Sequence, residues 1–208
     1  TLNQYMTRTY SWMAAGLLVT FATALLTVTT PLFELMFSTG LVFLLSIAEL
    51  VLVAVLSARV ERLQPTTATG LFFAYAVLNG INLSTYFIIY DLSTLILAFL
   101  VGTVYFGVMA VYGARTQRDL SGWGINLMGA LIAIILTSLV GGLIGMLTGT
   151  GFGMMDIALC AVSVLVFMLF TAYDTQKLSQ LYSYYAGDSE LAEKASIYGA
   201  LTLYLDFI

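Results

Sequence analysis

The chain has 208 residues, of which 61% are hydrophobic and 9% charged, and a formal net charge of -4. Too little polar surface remains to cover a water-exposed globule, so a soluble domain is excluded and the solvent is a lipid bilayer. The absence of histidine and the single cysteine, Cys160, exclude a disulfide framework, histidine-ligated metals, an imidazole pH switch and any Ser-His or Cys-His catalytic pair.

A short polar stretch holding Arg8 precedes a first apolar run over about 11–30, which ends at Pro31. The run is long and is followed by no small-x-small cleavage pattern, so it reads as a retained span rather than a signal peptide. A second span, about 35–57, carries Glu49 and ends in a turn with Arg59, Glu61 and Arg62. The third, about 67–90, places Asn79 and Asn82 three apart on one helix face. It reverses at Asp91 into a fourth over about 92–113, which closes on Arg115, Arg118 and Asp119.

A fifth span, about 123–147, has no charge and many glycines, Gly141, Gly142 and Gly145 among them, a spacing that favours close helix packing in lipid. The sixth, about 153–181, opens near Asp156 and contains Asp174. Thr175 to Leu181 is helix-compatible, so the helix is expected to continue about two turns past that aspartate. A last apolar run, about 195–208, is too short for a ~30 Å core, so a seventh span continuing past Ile208 is expected. The reading is an all-α polytopic membrane protein, one transmembrane domain over residues 1–208.

Alternation of the spans puts Arg8, Arg59, Arg62, Arg115, Arg118, Lys177 and Lys194, all the basic residues, on one side. The bias predicts that this side, and the N-terminus with it, is cytoplasmic. The opposite face holds Glu34, Asp91 and Asp156 and no base, an arrangement able to attract cations to its mouths. Three solvated acids without a role are an equally good reading. The basic turns also echo one another weakly, and orientation alone accounts for that.

Proton chemistry must therefore run on acids within the spans: Glu49, Asp174 and Asp206. With a last helix starting near Ala195, Asp206 lies about eleven residues, or ~16 Å, along it. It can meet Asp174 only if the sixth helix extends. Two carboxylates in contact cannot both ionise cheaply, so they share a proton and titrate as a pair. Deprotonated, they offer hard oxygens to calcium. Arg59 can reach into the membrane from the end of the second span and compete for one of them.

Ala-Tyr-Asp-Thr-Gln at 172–176, Leu-Tyr-Leu-Asp-Phe-Ile at 203–208, and Ser-Ala-Arg after the acidic second span at Glu49 resemble the transmembrane Bax inhibitor motif family, in its bacterial members. The resemblance extends over nearly the whole chain through the number and order of spans. It implies seven helices with the last one central, surrounded by the other six. It also implies a pH-sensitive calcium leak of the bacterial cytoplasmic membrane. In such a leak Asp174 and Asp206 sense protons and an arginine of the second span, Arg59 with Arg62 close by, latches the closed state. The cell-death role of eukaryotic relatives does not transfer to such a chain.

The expected partners are the bilayer, calcium ions and protons, with no cofactor, no nucleic acid, no enzymatic activity and a monomer rather than an obligate oligomer. A proton-coupled cation exchanger or transporter is the alternative, with Glu49 on the ion pathway. A non-transporting regulator that binds other membrane proteins is the third reading. An intramembrane aspartyl protease is disfavoured because Leu203-Tyr204-Leu205 precedes Asp206 in place of Gly-x-Gly. A retinal pump is excluded because neither lysine lies deep in a span.

Overall fold

The computed structural model describes residues 1–59, 62–149, 153–185 and 187–208, without the side chains of Ser57 and Arg59. The described residues form nine helices and no strand: α1 (Leu2–Thr29), α2 (Leu32–Ser38), α3 (Leu41–Arg59), α4 (Pro65–Leu83), α5 (Tyr86–Ile89), α6 (Leu92–Arg115), α7 (Trp123–Thr148), α8 (Met154–Tyr185) and α9 (Ser189–Phe207). α1, the α4–α5 stretch Pro65–Ile89, α6, α7 and α8 are long and apolar enough to cross a membrane, and the bent α2–α3 pair raises the count to as many as six. α9 falls outside that group because its first turns are the polar Ser189-Glu190-Leu191-Ala192-Glu193-Lys194. The protein is thus an all-helical, multi-pass integral membrane protein.

Threonine and serine hydroxyls show how the helices tolerate a solvent without water. Thr9 donates to Tyr5 O at 3.0 Å, Thr27 to Thr23 O at 2.8 Å, Thr103 to Phe99 O at 2.8 Å and Thr137 to Ala133 O at 2.8 Å. Each closes its donor on a carbonyl one turn back, which removes the need for a partner in lipid.

Several boundaries differ from those read along the sequence. The second apolar run is broken: α2 and α3 meet at 91° around Thr39-Gly40. Gly40 has φ +71°, a backbone region that glycine enters without a Cβ penalty. α1 begins at Leu2 rather than near residue 11, and its early residues Tyr5 and Thr9 are buried. α9 starts at Ser189, six residues ahead of the apolar run, because Asp188 caps it: its carboxylate accepts from Glu190 N at 2.9 Å and Leu191 N at 3.1 Å.

The chain divides into two compact units. The first comprises residues 1–103, 178–206 and 208. Within it α4 packs on α1 and on α3, and α2 on α1 and α3. Small residues allow the α1–α4 approach: a Cβ on Gly16 would stand 2.4 Å from Phe72 Cζ, and one on Gly80 would stand 2.5 Å from Thr20 O. α9 belongs to this unit through Asp206 and is enclosed. Ala195, Ser196, Ile197, Gly199, Ala200, Leu201, Leu203 and Tyr204 are buried, positions that cover about two thirds of the helix circumference, with Tyr198, Thr202 and Leu205 half-buried on the remaining side.

The second unit comprises residues 104–177 and 207. Leu127, Val166 and Phe170 form its apolar centre, flanked by Trp123, Leu131, Phe167 and Tyr173. The close approaches here are Gly113, where a Cβ would meet Ala172 O at 2.2 Å, and Gly124, against the Tyr173 hydroxyl. Of the glycines expected to pack, Gly142 does not: nothing lies within 4 Å of a Cβ placed on it. Much of α7 presents apolar side chains outward, Leu139 and Leu143 among them, as a lipid-facing helix does.

Candidate functional site

α8 runs without a break from Met154 to Tyr185, so it passes Asp174 by eleven residues, or ~16 Å at 1.5 Å per residue. No glycine or proline interrupts Thr175 to Tyr185. Leu178 is buried and Ser179 contacts Met6 Sδ at 3.8 Å, so the extension has packing partners in the first unit. Asp174 is consequently a residue within a helix, 8% exposed, rather than a solvated acid at a helix end. Asp206 is half-buried near the end of α9, seventeen residues, or ~26 Å, after Ser189. Asp174 lies in the second unit and Asp206 in the first.

The first unit also contains a buried polar cluster. Tyr204, fully buried on α9, sets its hydroxyl 2.6 Å from Thr20 Oγ1 of α1 and accepts from Asn79 Nδ2 of α4 at 3.1 Å. Thr20 Oγ1 in turn lies 2.9 Å from Ala76 O and 3.0 Å from Gly16 O. Proton bookkeeping closes if Asn79 donates to Tyr204, Tyr204 to Thr20, and Thr20 to one of the two carbonyls. The tyrosine ring stands edge-on to Phe72 at 5.7 Å and to Tyr75 at 5.8 Å. One hydroxyl therefore ties three helices, two residues before Asp206.

Asn82, the other asparagine of α4, faces α3. Its Nδ2 donates to the Glu49 carboxylate, and its Oδ1 lies 3.2 Å from Ser46 Oγ, which also reaches Val42 O at 2.9 Å. Asn79 and Asn82 thus serve different neighbours although they share one side of α4. Glu49 is half-buried, with Phe43, Leu44, Ile47 and Leu50 exposed around it on α3.

The remaining sequence candidates lie apart. Glu34 is exposed in the first turn of α2 and Asp156 in the first turn of α8. Asp91 precedes α6 and caps it, accepting from the Ser93 hydroxyl, from Thr94 Oγ1 at 2.8 Å and from Thr94 N at 3.1 Å. Those bonds, Ser93's first, pull its carboxyl down to about 2. The Arg59 side chain lies outside the described residues, and Arg62 is exposed. Among the described residues no three acidic or cysteine side chains group as a metal site.

The basic ends of the helices come together within each unit. Arg8 of α1 pairs with Glu193 of α9 at 2.5 Å, and Lys194 with Glu190 at 2.8 Å. In the second unit Gln176, two residues past Asp174, accepts from Leu120 N and donates to Arg118 O, both at 2.8 Å. That side chain fastens α8 to the turn between α6 and α7. Sequence reading assigned nothing to Tyr204, Thr20 or Gln176. Tyr204 and Gln176 stand within the two aspartate motifs, two residues from each acid, while Thr20 is one of several hydroxyls in α1.

A family model described as inhibitor of apoptosis-promoting Bax1 matches residues 2–208. The chain belongs to this Bax inhibitor-1-like family. Among family members it is similar to the inner membrane protein YbhL of Escherichia coli K12, 42% identical over 215 residues, covering 100% of this chain and 87% of YbhL. It is also similar to a Deinococcus radiodurans protein, 38% identical over 211 residues, covering 100% of this chain and 88% of the relative. The protein RP147 of Rickettsia prowazekii is 36% identical over 208 residues, covering 100% and 85%. The match extends over both aspartate segments, the Tyr204 cluster and Glu49.

Proposed function

We propose that this Bax inhibitor-1-like protein is a pH-sensitive calcium leak of the bacterial cytoplasmic membrane, not an enzyme and without a cofactor. Asp174 and Asp206 form its proton-sharing sensor and Arg59, with Arg62 as the neighbouring candidate, its latch. The observation that carries the reading is the continuation of α8 past Asp174, which keeps that carboxylate on a helix and nearly buried. A lone ionised acid would not be stable there, so the site calls for a shared proton, a cation or an arginine.

In this reading the ionised pair holds the arginine or a calcium ion, and protonation removes the charge that holds either. The N-terminus is cytoplasmic, which the joined basic ends of α1 and α9 and of the α6–α7 turn and α8 favour. α9 acts as the seventh span, and the protein works as a monomer with protons, calcium and lipid as its partners. Glu34, Asp91 and Asp156 face the outside; Asp91 has its own capping duty there.

The test is calcium entry into dye-loaded liposomes that contain the purified protein, with no imposed proton gradient, beside Asp206→Asn and Asp174→Asn. Downhill flux that changes with pH in the parent and is pH-independent in both variants is the expected result. A variant with the parent's pH profile would remove the sensor. The second reading, a proton-coupled exchanger, is favoured by Glu49 as a further intramembrane acid. It predicts uphill calcium movement that appears only when a proton gradient is applied. Absence of flux under every condition leaves the non-transporting regulator.

A further inference from the structure

Between α1 and α3 the chain forms the seven-residue helix α2, Leu32-Phe33-Glu34-Leu35-Met36-Phe37-Ser38, whose axis stands at 91° to α3. The lengths of its neighbours fix where it lies. α3 has 19 residues and covers ~28 Å, which takes up nearly all of a ~30 Å hydrocarbon core without help from α2. α1 leads to the same place, since Thr29 is twenty-one residues, or ~32 Å, beyond Arg8. Both helices therefore reach the membrane boundary at the ends that α2 joins, away from Arg8 and Arg59. Turned across α3, α2 runs along the plane of the membrane there.

At ~100° per residue its side chains fall into three sectors. Phe33 and Phe37, ~40° apart and stacked with ring centroids 4.2 Å apart, are half-buried where α2 packs on α1 and α3. Leu32 and Leu35, ~60° apart, are 47% and 54% exposed. Glu34 and Ser38 are exposed and form the third sector, ~100° from the phenylalanines and ~110° from the leucines. One side meets protein, one is apolar and open, and one is polar and open. A helix lying between lipid and water requires that division. The open apolar side continues into α3, where Leu41, Phe43 and Leu44 are exposed in the same way.

We infer that α2 is an interfacial membrane-docking helix. Leu32 and Leu35 enter the boundary between headgroups and acyl chains, Glu34 and Ser38 stay on the water side, and the Phe33–Phe37 pair fixes the rotation of the helix about its axis. The partner is the bilayer surface, bound by apolar insertion: residues 30–40 contain Glu34 and no lysine or arginine, so anionic headgroups offer no attraction. Two leucines would hold a free peptide weakly, but α2 is tethered to a span at each end, which makes its insertion intramolecular. Through Thr39-Gly40 it sets how far α3 lies below the surface, and with it Glu49, eight residues or ~12 Å past Leu41. The inference goes beyond the leak reading and does not rest on it.

The test places nitroxide labels on the full chain in phospholipid vesicles, in a Cys160→Ser background, at Leu32→Cys, Glu34→Cys, Leu35→Cys and, as a reference within the core, Leu50→Cys. All four positions are exposed, so the substitutions open no packed site, and Leu32 and Leu35 report independently of one another. Power saturation compares collisions with oxygen, enriched in lipid, and with a water-soluble nickel chelate. The expected result is an oxygen-favoured ratio at Leu32 and Leu35, lower than at Leu50, and a ratio severalfold lower again at Glu34, alike in phosphatidylcholine vesicles and in vesicles containing phosphatidylglycerol. Ratios as high as that of Leu50 at all three α2 positions overturn the proposal, because α2 would then be a re-entrant segment within the core. Nickel-favoured ratios at all three overturn it by placing α2 in water. Labels at Leu32 and Leu35 shielded from both reagents overturn it in favour of a protein cover such as a second copy, and a depth that changes with anionic lipid overturns apolar insertion. The ratios are read without calcium flux, so a failure of the leak leaves them standing and the two failures are distinguishable.

Discussion

Replacing Tyr204 by phenylalanine isolates the hydroxyl that joins α9 to α1 and α4. The ring contacts with Phe72 and Tyr75 are kept, so no cavity opens. What is lost is the acceptor for Asn79 Nδ2 and the partner of Thr20 Oγ1. Asn79 is 7% exposed. Leaving a buried donor unpaired costs about 1–3 kcal/mol in proteins generally. Cross-helix side-chain hydrogen bonds inside membranes average nearer ~0.6 kcal/mol, because the alternative states also find partners. The combination places Tyr204→Phe at about 1–2 kcal/mol of destabilisation. Tyr204→Ala, which also empties a fully buried aromatic site, belongs at about 3–5 kcal/mol. Equilibrium unfolding of the purified protein in mixed micelles with rising denaturing detergent measures both. Thr20→Val and the double variant complete a cycle, in which a coupling of at least ~0.5 kcal/mol is expected for groups in direct contact. A Tyr204→Phe protein as stable as the parent, or single effects that simply add, would refute the proposition that this hydroxyl holds the three helices together.

Gly80→Val should prevent normal assembly, because its Cβ would stand 2.5 Å from the Thr20 carbonyl on a neighbouring helix, whereas Gly142→Val meets nothing within 4 Å and should leave folded yield unchanged; size-exclusion profiles of the two variants decide it. Gln176→Ala releases Leu120 N and Arg118 O together and should cost about 1–3 kcal/mol, with protease cleavage in the α6–α7 turn rising before global unfolding. The Asp91 carboxyl, pulled from 3.8 to about 2 mainly by Ser93, contributes stability that is complete above about pH 4 and is lost as pH falls through about 2. Asp91→Asn should flatten that acid limb of the unfolding curve, and an identical limb in the variant would separate it from Asp91.

What could be read in advance divides along physical lines. The long apolar helices were legible because lipid demands long apolar runs, and the breaks at Pro31, Asp91 and the Arg115–Asp119 turn are chemically abrupt. The continuation of α8 past Asp174 was legible for a local reason too, since Thr175 to Leu181 contains no breaker, although its full reach to Tyr185 depends on contacts with α1. The 91° bend between α2 and α3 was not. A single glycine at position 40 is tolerated inside a helix, and only packing selects a positive φ over a helical one. The start of α9 had a local signal in Asp188, outweighed in the reading by the later apolar run. Asp91 likewise had one: Ser93 and Thr94 follow it at cap spacing, so an acid read as a cation lure is first a helix cap.

The deeper limit concerns partners. In a bilayer every polar side chain must find one, which makes the polar residues of the spans conspicuous while leaving their matching undetermined. Asn79 and Asn82 were visible as a pair on one face, yet one turns to Tyr204 and the other to Glu49. A 60° offset between positions three apart is enough to address two different helices. The same offset argument bears on α9. Tyr204 and Asp206 are two residues, about 200°, apart, so fixing the tyrosine against α1 and α4 turns the aspartate to the opposite side of its helix. Any account of Asp206 as a proton sensor therefore begins at Tyr204: the hydroxyl that sequence alone does not single out sets the direction in which the conspicuous acid can act.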